Sequence, residues 1–197
     1  MTDISHKWLG ECRLLVPFTQ EYGQELHASK IAKLLSLPQK TVARKLMQLE
    51  KVHLLQYRRE GKNKYYSLNL EKDFILSLLQ IVEAYKEIQF NLQYPEWGLL
   101  LGELSSEASA ILFGSYAKGL AEKDSDQDLV IFSGKNKSIL EILGRSPSPV
   151  NAHYVTISLL GKKLKERQPL AKEIAHDHIL FGEKEKIIKV FINHWRT

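Results

Sequence analysis

The sequence has one cysteine and no long apolar run. Cys12 is the single thiol among 197 residues, so an internal disulfide is excluded, which fits a reducing compartment. No stretch approaches the roughly 20 consecutive apolar residues of a membrane span. The start of the chain also lacks the basic and apolar regions of a signal peptide. We therefore expect a cytoplasmic globular protein.

Basic charge is concentrated at one end of the chain. Residues 1–70 hold 12 Lys and Arg against 6 Asp and Glu, whereas the remaining residues hold 16 against 17. A basic excess confined to one part of a chain is typical of contact with a polyanion. A solvated lysine-rich surface explains the same counts equally well.

Two helices followed by a hairpin are predicted for this basic third. Apolar residues recur at helical spacing on both sides of a break at Ser36 to Gln39: Ile31, Leu34 and Leu35 before it, Val42, Leu46 and Leu49 after it. Two strand-like segments follow, Leu55 to Arg58 and Lys64 to Leu68, joined by a polar turn that contains glycine. This order resembles the winged helix-turn-helix family over roughly residues 8–70, with a first helix within Trp8 to Tyr22.

The resemblance implies that the second helix enters the major groove of DNA while the hairpin contacts its backbone or minor groove. The candidate DNA-binding residues are Gln39, Lys40, Thr41, Arg44, Lys45 and Gln48 on the helix and Arg58, Arg59, Lys62 and Lys64 on the hairpin. Winged helices also serve as protein-binding or dimerisation modules, so a protein partner stays open.

A long helix is predicted over residues 70–93, ending near Tyr94 and Pro95. Its apolar residues form one stripe: Phe74, Leu78, Ile81, Val82, Tyr85 and Ile88. A linker helix of this kind packs on a second copy in a homodimer, or is buried against its own domains. Both explanations fit the pattern.

Helical and strand-like segments alternate from Trp97 onward. They predict a small domain with a mixed sheet, including strands at Asp128 to Phe132 and at "AHYVTIS", residues 152–158. The fold class is then a two-domain α+β or α/β protein. It has a winged helix at 1–70, a linker helix at 71–94 and the mixed-sheet domain at 95–197.

The segment between the first two strands of this domain carries a motif. Gly114-Ser115, a short helix and then Ser125-Asp126-Gln127-Asp128 at the start of a strand resemble the signature of the DNA polymerase beta-like nucleotidyltransferase superfamily. The resemblance is greatest to its minimal nucleotidyltransferase branch and covers roughly residues 95–160. It implies a Mg²⁺-dependent transfer from a nucleoside triphosphate.

The residues suit these roles physically. Asp126 and Asp128 are two apart, so in a strand they point to the same side and can both bind a hard cation. Gly114 lets the backbone approach a phosphate, and Ser115 can donate a hydrogen bond to it. Lys118, one helical turn later, adds positive charge. The candidate nucleotide-binding residues are Gly114, Ser115, Lys118 and Ser125.

The third carboxylate that active members of the superfamily carry on the next strand is missing. The segment "VNAHYVTIS" contains no Asp or Glu, and Glu141 and Glu166 are predicted to lie on helices. His153 is the candidate replacement as a base, although a structural histidine is the simpler explanation. Two functions therefore stay open. One is a nucleotidyltransferase with an unknown acceptor, and the other is a DNA-binding regulator whose degenerate domain senses nucleotide or serves as a scaffold.

Overall fold

Residues 10–122 and 125–196 are described by the computed structural model, so part of the predicted first helix, from Trp8, lies outside the described residues. Residues 10–15 form α1, which continues into a 3-10 turn at Val16–Thr19. Next come β1 (Leu26–His27), α2 (Ala28–Leu35), α3 (Gln39–Lys51), β2 (Leu55–Glu60) and β3 (Asn63–Leu68).

Local signals explain the predicted helix–turn–helix and hairpin, which the structure confirms. Ser36 ends α2 because its backbone is left-handed, with φ of 52°, and its N–H bonds back to the helix. Pro38 is extended and precedes α3. Strands β2 and β3 pair antiparallel, with Leu55 opposite Leu68, and β1 completes a sheet of order β1-β3-β2. Assignment to the winged-helix family stays a prediction.

The long helix α4 (Ile75–Gln93) is present, and most of its predicted apolar stripe is not buried against the rest of the chain. Its buried residues are Ile75, Leu79, Val82, Glu83 and Phe90. Of the predicted stripe only Val82 is among them, while Phe74, Ile81 and Ile88 are 47%, 52% and 54% exposed. The helix has two apolar stripes, and Glu83 interrupts the one that faces the core. The helical periodicity of apolar residues in the sequence therefore identified the stripe that faces solvent and not the buried one.

The C-terminal part is built around a four-stranded mixed sheet of order β6-β5-β4-β7. Among the described residues, β5 pairs with β6 in parallel, whereas the pairs β4–β5 and β4–β7 are antiparallel. Its elements are α5 (Pro95–Glu107), β4 (Ala110–Phe113), α6 (Gly114–Ala117), β5 (Gln127–Ile131), α7 (Lys137–Leu143), β6 (Val150–Tyr154), α8 (Ile157–Lys165), α9 (Pro169–His176), β7 (Ile179–Phe181) and α10 (Glu185–Trp195).

Strand β6 ends at Tyr154, whereas the strand predicted within "VNAHYVTIS" continues to Ser158. The alternating residues after Tyr154 belong to the start of α8, where the Thr156 side chain accepts a hydrogen bond from Leu159 N at 3.1 Å. A capping threonine in extended backbone continues the alternation of a strand without pairing. Within β6, the residue that lies opposite Asp128 is Asn151.

The hydrophobic core has two clusters, one on each face of this sheet. One cluster combines N-terminal residues such as Phe18 and Ile31 with Leu79 and with Phe191 of α10. The other lies under α5 and α7 and contains Trp97 and Leu129. The domain boundaries stay a prediction, and the first cluster crosses them. Within the described ranges, no helix combines the length and the apolar character needed to span a bilayer.

Candidate active site

Gly114 and Asp128 are in direct contact where β4 ends. In the antiparallel pairing of β4 with β5, Asp128 lies opposite Phe113, the residue before Gly114. A Cβ atom on Gly114 would lie 2.2 Å from Asp128 Oδ2, and φ of Gly114 is +71°. Glycine is needed here for two reasons, space and backbone conformation. The Asp128 carboxylate occupies the volume that a side chain at position 114 would fill.

The other motif residues have different surroundings. Asp126 precedes β5 and is exposed, whereas Asp128 is partly exposed at its second position. Ser115 is partly exposed in the single turn of α6. The Ser125 hydroxyl accepts a hydrogen bond from Glu122 N at 2.8 Å, so it shapes the turn before the two acids.

Asn151, which the sequence reasoning missed, lies opposite Asp128 on β6. Its Nδ2 donates a hydrogen bond to Asp128 Oδ1 at 3.2 Å. His153 lies opposite Val130, two residue pairs further along the same two strands, and its ring centre is 6.0 Å from that of Phe113. An amide therefore occupies the position on the neighbouring strand that faces Asp128. The residue types of "VNAHY" could have suggested Asn151, but only the register of β6 identifies it.

Lys118 reaches this site with its charge already paired. Its Nζ lies 2.8 Å from Glu173 Oε1 on α9. The hydrogen bond that Lys118 donates to Glu173 is the main cause that raises the pKa of Lys118, and the charge of Asp128 contributes. Lys118 thus stays protonated near Asp128, but an incoming phosphate would have to compete with Glu173.

The donor atoms fit a magnesium ion that is shared with a nucleotide. Across residues 10–122 and 125–196, no three His, Cys, Asp or Glu side chains come together as a complete metal site. Mg²⁺ does not need one, because it is commonly held by one or two carboxylates, several waters and the phosphates of the substrate. Asp126 and Asp128 supply hard oxygen donors of this kind.

The candidate DNA-binding residues divide into paired and unpaired cations. Arg58 binds Glu25, with Nη2 at 2.9 Å from Oε2, and Lys64 binds Glu50. No ion pair within the described part of the chain involves the remaining cations, which are Lys40, Arg44, Lys45, Arg59 and Lys62. The polar residues Gln39 and Gln48 on α3 are exposed, and Thr41 is partly exposed.

A second ionisable cluster is fully buried where α4 meets the N-terminal and C-terminal segments. Glu83 Oε1 accepts from the Tyr22 hydroxyl at 3.0 Å and lies 3.2 Å from His178 Nε2, while Oε2 lies 2.8 Å from Lys86 Nζ. Burial alone raises the pKa of Glu83, but Lys86 and His178 lower it to about 2. Burial also lowers the pKa of His178. This cluster connects distant segments, and sequence patterns did not reveal it.

The comparisons with known proteins concern the C-terminal part. The family model described as "Nucleotidyltransferase domain" matches residues 100–194, from within α5 to within α10. No curated protein and no solved structure matches the chain significantly. The mixed α/β fold of this part fits such a domain, and Gly114, Ser115, Asp126 and Asp128 all lie inside the matched range. A nucleotidyltransferase-like function is therefore supported for it.

Proposed function

We propose that the C-terminal part binds a nucleoside triphosphate with Mg²⁺ at Asp126 and Asp128 and transfers its nucleotidyl group to an acceptor hydroxyl. The observation that carries the proposal is the contact between Gly114 and Asp128. A carboxylate fixed against a glycine that has left-handed backbone is not required by packing alone, because Asp128 is partly exposed. The family match to this range supports the same assignment.

In the proposed reaction, the acceptor oxygen bonds to the α-phosphorus, the bond from that phosphorus to the β-phosphate oxygen breaks, and pyrophosphate leaves. Bound Mg²⁺ would neutralise charge on the phosphates. Asn151 holds the Asp128 carboxylate in place through its hydrogen bond, and the lack of a side chain at Gly114 leaves room for that carboxylate. The acceptor proton passes to water or to His153, which is exposed on β6.

Two measurements test this proposal separately. Calorimetric titration with nucleoside triphosphates should show binding that requires Mg²⁺ and is lost in Asp128→Asn. Incubation with α-labelled nucleotide should then label an acceptor from a cell extract, and Asp126→Asn should abolish the labelling. Binding without labelling would reduce the proposal to a nucleotide sensor, and no binding would refute it.

A second function, DNA binding by the N-terminal part, is favoured by the unpaired cations of α3 and the hairpin. Lys40, Arg44, Arg59 and Lys62 are exposed and make no ion pair among the described residues. Each phosphate that such a side chain neutralises releases a counterion and makes binding salt-dependent. Arg58 and Lys64 are held by acidic neighbours and contribute less in this proposal.

Adjacent arginines on β2 provide a matched test. Fluorescence anisotropy with duplex DNA should show binding that weakens with salt and falls severalfold in Arg59→Gln. Arg58→Gln should cost much less, because Glu25 already neutralises that side chain. Equal losses of affinity in both variants would refute the distinction between paired and unpaired arginines. No DNA binding by the unchanged protein would refute the proposal.

We also propose that the outer face of α4 packs against the same face of a second copy. Phe74, Leu78, Ile81, Tyr85, Ile88 and Leu92 define this face and recur at alternating intervals of four and three residues. This heptad spacing is typical of one helix packing against another. The charged residues of α4 lie elsewhere: Glu83 and Lys86 are buried, and Glu87 binds Lys184 at 2.7 Å. No like charges would oppose each other in a symmetric pair.

The oligomeric state tests this contact directly. Light scattering coupled to gel filtration should give twice the mass of one chain, and Ile81→Lys combined with Ile88→Lys should give a folded monomer. Gln80→Lys, on a different face of the same helix, is the control and should leave the dimer intact. A monomeric unchanged protein would refute the proposal.

A further inference from the structure

A basic cleft lies at the end of the sheet domain, where the turn after the N-terminal helix meets the last three helices. It has a volume of about 690 Å³, within the range of roughly 300–1,000 Å³ that is typical of small-molecule sites. Its lining residues are Glu21, Leu164, Lys165, Arg167, Lys172, His176, Asn193, His194 and Trp195.

One wall of the cleft depends on a glycine. Trp195 lies so close to Gly23 that a Cβ atom there would be 2.6 Å from the indole ring. Leu164 is 1% exposed and forms apolar lining on another side. The indole ring is therefore packed in place against the N-terminal segment, and the cleft is a built feature of the fold.

The charges around the cleft are unbalanced. Lys165, Arg167 and Lys172 line it, and none of them has an ion pair or a side-chain hydrogen bond within the described ranges. Elsewhere in the C-terminal part lysines commonly have acidic partners, as Lys184 and Lys189 do. The one acidic lining residue, Glu21, is itself 3.4 Å from His176 Nε2.

The electrostatic effect of these cations is visible on a neighbouring group. The pKa of His194 is lowered mainly by burial and further by the charges of Lys172 and Arg167. Positive charge from two elements thus converges on one side chain of the cleft. The indole Nε1 of Trp195, another lining residue, is also a buried donor without an acceptor among the described residues. Donors outnumber acceptors around the cleft.

Arg167 occupies a position where glycine would be less strained. Its φ is +56°, and its N–H bonds to Leu164 O at 3.0 Å, in the turn that ends α8. Glycine is the usual residue in this left-handed conformation after a helix. An arginine in its place puts a guanidinium group at the cleft despite the backbone strain.

We propose that this cleft binds a small organic anion that carries two or more phosphate groups, independently of any nucleotide at Asp128. Arg and Lys side chains are the usual partners of phosphate oxygens, and a bounded cleft suits a small molecule better than a nucleic-acid duplex. A second cleft, of about 350 Å³, shares Lys172 and His176 with the first and is also lined by Lys118. The bound anion would therefore lie close to the candidate active site.

Calorimetric titration of the full chain with inorganic tripolyphosphate, in buffer with EDTA and no Mg²⁺, tests the proposal. We expect saturable binding to one site that weakens at least fivefold in Arg167→Gln and in Lys172→Gln. Lys186→Gln removes an exposed lysine of α10 that does not line the cleft and should have no effect. Asp128→Asn should also bind normally, so failure of the proposed nucleotide site would not be confused with failure of this one.

Four outcomes would overturn the proposal. The first is no saturable binding, and the second is an equal loss in Lys186→Gln, which would indicate general charge attraction. The third concerns nucleic acid: if Arg59→Gln with Lys62→Gln removes tripolyphosphate binding, the probe occupies the hairpin. The fourth is that binding of a single-stranded oligonucleotide falls more in Lys172→Gln than tripolyphosphate binding does. Nucleic acid would then be the ligand of the cleft in place of a small anion.

Discussion

Glu83 lies in the middle of α4 with a fully buried carboxylate, whereas Asp128 lies at the start of β5 with a partly exposed one. Both are next to apolar core residues. Glu83 is surrounded by Tyr22, His178 and Lys86, which come from three parts of the chain. Asp128 accepts a hydrogen bond from the amide of Asn151 and lies against the backbone of Gly114.

The difference shows two ways in which a fold keeps a carboxylate near its core. A buried charge is tolerated only when opposite charges and hydrogen-bond donors surround it, so Glu83 contributes to a fixed structure. A carboxylate at the edge of a sheet retains contact with water and has unused acceptor capacity, so Asp128 is available to a ligand. The first arrangement is a structural device and the second suits a binding site.

The largest expected effect comes from removing the buried carboxylate. Glu83→Leu leaves Lys86 charged and unpaired in the core and removes the acceptor of Tyr22, so we expect a loss of about 3–5 kcal/mol in the free energy of unfolding. Urea titration measures it. Glu87→Leu, one residue beyond Lys86, breaks a partly exposed pair with Lys184 and should cost less than about 1 kcal/mol. Equal losses would contradict the structural role of Glu83.

Gly114→Ala tests the space beside Asp128. Gly119 is the matched control, because its φ is +67° but nothing lies within 4 Å of its Cβ position. Both variants should lose about 1–2 kcal/mol of stability from left-handed backbone. Only Gly114→Ala displaces the carboxylate, so only it should weaken Mg²⁺-dependent nucleotide binding, by at least tenfold. A similar loss in Gly119→Ala would show that nucleotide binding does not depend on the contact between Gly114 and Asp128.

Asn151→Asp places a second carboxylate opposite Asp128. The site then has two neighbouring negative charges, and no cation offsets them until Mg²⁺ is added. Without Mg²⁺ we expect a loss of about 1 kcal/mol from like charges across the strands. Added Mg²⁺ should raise the melting temperature of the variant more than that of the unchanged protein. His153→Asp, opposite Val130, should show a smaller response to Mg²⁺. Equal responses would mean that the register does not determine the metal site.

The smallest effect is the pH dependence of stability. The pKa of His178 is lowered from 6.5 by burial and by Lys86, so its contribution to stability is present above pH 6.5 and is lost as the pH falls below that value. The lowered pKa of Glu83 adds a second loss between pH 4.5 and about 2. Melting temperatures measured from pH 7 to 5 should fall less steeply in His178→Gln. In His194→Gln the fall should change less, because that ring is only partly buried.

Much of the local structure was predictable. The break between α2 and α3, the hairpin at Leu55–Leu68 and the end of α4 at Pro95 follow from short-range signals, and the structure confirms them. The buried face of α4 was not predictable, because two apolar stripes compete in one helix and a charged residue lies on the buried one. The pairing of Asp128 with Asn151 was missed because it depends on a register between strands 23 residues apart.

By itself, the sequence determined most of the helices and strands and the Gly-Ser and Asp-x-Asp motif, since these depend on residue type and on spacing within a few positions. The tertiary structure alone decided that Glu83 contacts Tyr22 and His178, that Lys118 is paired with Glu173 and that Lys165, Arg167 and Lys172 line one cleft. These features depend on contacts between distant segments. Local propensity does not encode such contacts, because each one requires two elements to pack in a particular register and orientation.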